Sequence, residues 1–333
     1  MYEDWGVRDP LWRGIRSEIL RLAGSPVHVL RHDGEADGPT QLLVHGLGGA
    51  AGSWLDVIAG LARRGPVVAP DLPGFGRTPP PRRRGSRLGA NTAFLRAFAH
   101  RLSLTDAHVH ASSMGALLGV RLAAADPHRV GYLVLSAPAL PVSRAALSRL
   151  HPQALRTFAP FAIPGVGASV LRRTYAARTP EELQHDRAAF VHADAEQVRE
   201  PLRQVGVDTA AYAQRNPWRL EAFAVAAEST VATMLASPPS ARRAVEAVTA
   251  PTMLLWGDHD RIVPRELVEA VVRRRPDWPL TVLAGVGHAP MTEAPQAYLE
   301  AVGAWLDAGA PAALPPGADV AGDPGAGLAD PAG

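Results

Sequence analysis

Short apolar runs alternate with helical segments along most of this 333-residue chain. Runs such as Leu42-Leu43-Val44 and Leu133-Val134-Leu135 are apolar on both faces of a strand, so each needs helices above and below it. Strand signals fall at Val27 to Leu30, Gln41 to Val44, Val67 to Ala69, the run into Ser113, Tyr132 to Ser136, Thr252 to Trp256 and Leu280 to Leu283. Helical patterns fill the gaps at Trp54 to Ala62, about Thr92 to Leu102, Met114 to Ala125, Arg265 to Arg274 and about Gln296 to Leu306. The expected fold class is therefore α/β, a mostly parallel central sheet with helices on both faces.

Between Pro141 and Val248 the alternation stops and only helix signals remain. Thr179-Pro180-Glu181-Glu182 reads as a capping box with proline at the first helical position, and Asp194 to Gln197 is a weaker start. Residues 141–248 are thus expected to form an inserted helical lid, with the core in 25–140 and 249–308. Leu11, Trp12, Ile15, Ile19 and Leu22 recur at helical spacing among Arg13, Arg16 and Arg21, which predicts an amphipathic helix within 1–24, packed on the body rather than lying on a membrane. The segment 309–333 is almost entirely Ala, Pro, Gly, Asp, Leu and Val without periodicity and is expected to be disordered.

Composition removes several chemistries. All 34 basic residues are arginine, a coding bias that still excludes a P-loop, a Schiff-base lysine or a lysine-activated serine. Without cysteine there is no disulfide framework, thiol nucleophile or cysteine-ligated zinc. A net charge of +2 argues against a nucleic-acid partner. No segment reads as a secretory signal or a membrane span, so a cytoplasmic location is expected, with a small-molecule substrate as the partner. Pro79 to Arg87 reads as a solvated basic loop.

Ser113 stands where an apolar strand runs directly into an apolar helix, in His110-Ala111-Ser112-Ser113-Met114-Gly115-Ala116. A tight corner of this kind strains the backbone and tolerates only small residues two before and two after the centre. Ala111 and Gly115 fit around Ser113, whereas His110 and Met114 would flank Ser112. A hydroxyl needs a base to become nucleophilic, and the base needs a group to orient it. Two later strand ends offer candidates, Trp256-Gly257-Asp258-His259-Asp260 and Gly285-Val286-Gly287-His288, on the sheet edge where ligands bind in parallel folds.

These segments, with His45-Gly46-Leu47-Gly48, Asp71-Leu72-Pro73-Gly74-Phe75-Gly76, Gly257-x-x-Asp260-x-x-Val263-Pro264 and Gly287-His288-x-x-Met291-x-Glu293-x-Pro295, resemble the α/β-hydrolase family over about residues 25 to 308. The resemblance implies Ser113 as nucleophile, His288 as base and Asp260, not Asp258, as the acid. It implies an oxyanion hole from the backbone amides of Leu47 and Met114, with His45, Gly46 and Gly48 supporting the loop, and neither a metal nor an organic cofactor.

The implied activity is serine hydrolysis of an ester or related acyl substrate, with an apolar acyl group. Carbon–carbon bond hydrolysis, acyl transfer and perhydrolysis are alternatives within the fold. A ligand-binding protein on a hydrolase scaffold is the alternative outside enzymes. His108 and His110 share a strand face but are expected to be core histidines rather than metal ligands. Gly74 and Gly76 lack the rest of a dinucleotide fingerprint.

Overall fold

The computed structural model describes residues 4–81, 85–141 and 145–309. Its sheet has eight strands among those residues: β1 Arg16–Leu22, β2 Ser25–His32, β3 Gln41–Val44, β4 Val67–Pro70, β5 Ala107–Ser112, β6 Val130–Ser136, β7 Thr252–Gly257 and β8 Leu280–Leu283, in the order β1-β2-β4-β3-β5-β6-β7-β8. From β4 to β8 all neighbours are parallel, and β2 joins antiparallel to both β1 and β4.

The central strands are buried on both faces. Leu42 and Val44 enter one apolar cluster with Val109, Leu133, Leu135 and Leu254, while Leu43 enters the other with Ala69, Val134, Met253 and Leu255. Helices cover each side: α1 Leu55–Ala62, α2 Leu88–Arg101, α3 Met114–Ala125, and, after β7, α10 Arg265–Arg274, α11 Pro290–Glu293 and α12 Pro295–Asp307. Helices α4 Pro152–Phe158, α5 Val166–Ala177, α6 Pro180–Val191, α7 Glu200–Arg215, α8 Trp218–Ala236 and α9 Pro239–Glu246 all fall between β6 and β7. The start of α6 is the capping box read from sequence, with the Thr179 N–H donating to Glu182 Oε2 (2.8 Å) and the Glu182 N–H to Thr179 Oγ1 (3.2 Å).

The N-terminal helix expected within 1–24 does not form. Residues Trp5–Val7 and Pro10–Trp12 make single 3-10 turns, and Arg16–Leu22 is an edge strand. Gly14 (φ +81°) breaks the chain first, and Ala23 (φ +48°) with Gly24 (φ +82°) then turns it back into β2. Two consecutive positive φ values match the twist of a two-residue hairpin. The helical spacing was coincidental: Trp12 and Ile15 are core residues, whereas Leu11 and Ile19 are exposed.

Paired histidines on β5 are absorbed into the core. His110 Nε2 donates to Gln41 Oε1 (3.1 Å) and its Nδ1 accepts from the Tyr298 hydroxyl (2.8 Å). Gln41 in turn donates to His108 Nδ1 (3.0 Å). The expected tail from 310 onward and part of the Pro79–Arg87 loop, residues 82–84, lie outside the described residues. Among the described residues no single helix is long and apolar enough to cross a membrane.

Candidate active site

Ser113 caps α3 directly after β5, with φ 55° and ψ −118°. A non-glycine residue there is strained, and the fold holds it by covalent continuity with two well-paired elements. The Ser113 N–H donates to the Ser136 carbonyl at the end of β6 (2.9 Å). Gly115 explains the small-residue requirement: a Cβ there would lie 2.6 Å from the Val44 carbonyl oxygen and 2.7 Å from that of His45. Ala111, at the other flank, packs within the buried core beside Gly119.

The loop after β3 lies against this corner, since a Cβ on Gly46 would meet Ser113 Cβ at 3.0 Å and Oγ at 3.6 Å. His45 braces the loop. Its Nδ1 donates to the Gly46 carbonyl (2.8 Å) and its Nε2 accepts the Leu72 N–H (3.0 Å). These bonds require the neutral ring, and burial pushes its pKa down despite nearby Asp71, with Arg219 and Arg187 adding to the depression. Gly48 adopts φ +73° and lies under Phe223 of α8. Neither the Leu47 nor the Met114 amide donates to a protein acceptor among the described residues.

Asp71, after β4, ties the adjoining loops together. It accepts the Ala51 N–H on Oδ1 (2.7 Å), and the Arg77 N–H and His28 Nδ1–H on Oδ2 (both 2.7 Å). Burial alone would raise its pKa, but His28 and these donors outweigh it and hold the carboxyl below its ordinary value. Gly76 is obligatory beside it, because a Cβ would fall 2.0 Å from the carboxylate.

The loops after β7 and β8 bring Asp260 and His288 together. Asp260 Oδ2 accepts from His288 Nδ1 at 2.8 Å, while Oδ1 accepts the Ile262 and Val263 N–H groups (2.8 and 3.0 Å). This fixes the imidazole with Nδ1 protonated and Nε2 available as an acceptor. Asp258 instead accepts the Gly285 N–H (2.7 Å), and its neighbour His259 is largely exposed. Gly257 lets the two loops cross, since a Cβ there would strike the Val286 carbonyl oxygen at 2.1 Å. No hydrogen bond joins Ser113 Oγ to His288 among the described residues, so the structure pairs Asp260 with His288 and leaves the hydroxyl unengaged. Such contacts commonly tighten only when substrate arrives.

Glu293 carries more than its place in the motif suggested. Nearly fully buried, it accepts the Gly287 N–H on Oε2 (2.7 Å) and the Asp194 N–H on Oε1 (2.8 Å). One carboxylate therefore holds the His288 loop and the inserted helices at once. The His288 N–H donates to the Val191 carbonyl at the end of α6 (2.8 Å), and His192 Nε2 bonds Thr292 Oγ1 (2.9 Å). A Gly-His loop followed by a glutamate six residues on was the available sequence signal; its partner Asp194 was not foreseeable.

A profile of the alpha/beta hydrolase family matches residues 41–301. The chain belongs to that family. It is 30% identical over 253 residues to a 2-hydroxy-6-oxononadienedioate/2-hydroxy-6-oxononatrienedioate hydrolase of Pseudomonas putida, covering 75% of this chain and 81% of that protein. It is 26% identical over 268 residues to a 2-hydroxy-6-oxo-6-phenylhexa-2,4-dienoate hydrolase of Burkholderia cepacia, covering 78% and 85%. Among solved structures, a haloalkane dehalogenase from Agrobacterium tumefaciens superposes with TM-score 0.74 at 17% identity, covering 90% of this chain and 98% of that one. A bacterial membrane phospholipase A superposes with TM-score 0.64 at 24% identity, covering 91% and 88%. At these identities the structural likenesses establish the fold alone.

Proposed function

We propose that this hydrolase works through Ser113 as nucleophile, His288 as general base and Asp260 as the group that orients His288. The observation that carries the reading is the 2.8 Å bond between Asp260 Oδ2 and His288 Nδ1, which leaves Nε2 to take a proton at the same sheet edge as the strained serine. Ser113 Oγ attacks an acyl carbonyl while its proton passes to His288 Nε2. The oxygen that becomes negative is met by the Leu47 and Met114 amides, at the start of a helix whose dipole favours that charge. His288 then returns the proton to the leaving group, and water releases the acyl chain from Ser113.

The substrate we favour is an ester with an apolar acyl group, admitted under a cap formed by α4–α9. Leu47 packs with Phe161 and Phe223, whose rings meet edge to face at 5.7 Å, so the oxyanion loop is roofed by apolar side chains. A second reading is supported by the curated relatives. The compounds in their names carry a ketone and a carboxylate but no ester, so their hydrolysis adds water across a carbon–carbon bond. The same nucleophile and base serve that reaction.

Treatment with a fluorophosphonate followed by mass spectrometry should place the adduct on Ser113. An adduct elsewhere, or none, refutes the mechanism. Acyl esters of graded length assayed beside 2-hydroxy-6-oxo-6-phenylhexa-2,4-dienoate separate the two readings, and a kcat/KM higher for the dienoate selects the second.

A further inference from the structure

A cleft opens where the N-terminal segment, the loop after β4 and the inserted helices meet. Trp5, Arg8, Asp71, Arg77, Tyr212 and Arg219 are among its walls, and its cavity volume is ≈ 80 Å³. None of these side chains has a part in the proposed reaction, and their charges are poorly balanced. Arg219 is only 7% exposed. Its Nη1 donates to the Thr209 carbonyl (2.8 Å), but its Nε has no partner, and no carboxylate forms an ion pair with it among the described residues.

A buried guanidinium in that state is costly, because desolvation is not repaid by an opposite charge. Asp71 is a carboxylate whose charge favours the guanidinium, yet both its oxygens are already engaged by the Ala51 and Arg77 amides and by His28. Arg77 adds a second cation. Its guanidinium carbon lies 5.3 Å from the Tyr212 ring centroid, and that of Arg219 lies 5.8 Å from the same centroid. Two guanidinium groups therefore converge on one aromatic ring, and the ring offsets only part of their repulsion. Asp208, also on the cleft wall, is already paired with Arg8 (2.7 Å) and so does not neutralise either guanidinium.

We propose that this cleft binds a small organic oxyanion, carboxylate or phosphoryl, whose oxygens pair with Arg219 and Arg77 and whose body lies against Tyr212. Planar guanidinium forks suit such two-oxygen groups. Ala50 and Gly52, on the loop that continues from Leu47, also line the cleft. A bound anion would thus join the inserted helices to the loop beside Ser113. The site is read by binding and does not depend on the catalytic assignment.

Calorimetric titration of the full chain with benzoate and with phenyl phosphate tests it. Saturable 1:1 binding is expected for both, with no binding of neutral benzamide. Arg77→Ala and Arg219→Gln should each weaken binding about tenfold or more, the size of a lost charge-assisted hydrogen bond. Arg64→Ala, which removes an exposed partner of Asp307 elsewhere, should leave affinity unchanged. Arg77 is exposed, so its variant carries the test even if Arg219→Gln folds poorly. Absence of binding by either anion, or undiminished affinity in Arg77→Ala, overturns the proposal. Slower fluorophosphonate labelling with benzoate present would assign the anion to the substrate itself; unchanged labelling with binding intact would assign it to a separate effector.

Discussion

Lowering the pH from about 7.5 to about 5.5 should strip several kcal/mol from the fold through histidines buried as neutral bases. Burial pushes His110 down to about 3, with His108 adding to the effect. Burial likewise takes His108 to about 4, helped by Arg64, and His192 to about 3, helped by Arg187 and His288. In the unfolded chain each imidazole titrates near ~6.5. Above that value neither state holds the proton, so these groups confer no pH dependence. Below it only the unfolded state is protonated, and stability falls until the folded values of 3 to 4 are reached. One pH unit below ~6.5 each histidine costs about 1.4 kcal/mol, together about 4 kcal/mol. His45 is shifted in the same direction and adds to the loss. Asp71, held low, loses its stabilising effect only as pH falls through the acid range below ~3.9, outside this window. Since a whole domain has about 5–15 kcal/mol, the change is large. Urea unfolding at the two pH values measures it by linear extrapolation. A difference below about 1 kcal/mol would show that these rings are hydrated or protonated in the folded protein and would refute the reasoning. His110→Gln should remove about a third of the pH-dependent part.

Four substitutions probe the site separately. Asp260→Asn should lower kcat by about 10³–10⁴-fold, because the amide no longer favours the Nδ1-protonated ring, while Asp258→Asn should change it by less than about threefold; steady-state kinetics of both variants decide between the two carboxylates. Gly115→Ala places a methyl 2.6 Å from the Val44 carbonyl oxygen and should cost about 1–3 kcal/mol, read as a lower Tm with slower labelling of Ser113. Glu293→Gln keeps one acceptor for two buried amides, so it should cost about 1–3 kcal/mol in stability and reduce kcat more than it raises KM.

Residue chemistry made the core legible where one element explained its own burial. The strands Leu280–Leu283 and Gln41–Val44 and the helices Met114–Ala125 and Arg265–Arg274 have the bounds that their patterns predicted. The helix expected from about Thr92 begins instead at Leu88 and takes in Gly89, a poor helix former. A Cβ at Gly89 would meet nothing within 4 Å, so that glycine is tolerated rather than required. The N-terminal error has the opposite cause. Trp12 and Ile15 are buried by contacts with α1 and β2, which no local periodicity encodes, and Trp12 Nε1 finds its acceptor in Asp56 (2.6 Å), a residue 44 positions away.

The same distinction runs through the site. The corner at Ser113 was readable from its small flanks, which are local, although the carbonyls of Val44 and His45 that crowd Gly115 come from the end of β3 and the residue after it. His288 and Asp260 were readable only as motif positions, and a hydrogen bond between loops 28 residues apart makes them a pair. Glu293 and the Arg77–Tyr212–Arg219 cleft were less visible still, since each joins the sheet to helices inserted far along the chain. Their cost in buried charge is set by what surrounds them, so it appears only once the inserted helices are in place. A substitution that loosens those helices should therefore disturb Glu293 and Arg219 together while leaving the Ser113 corner strained and intact.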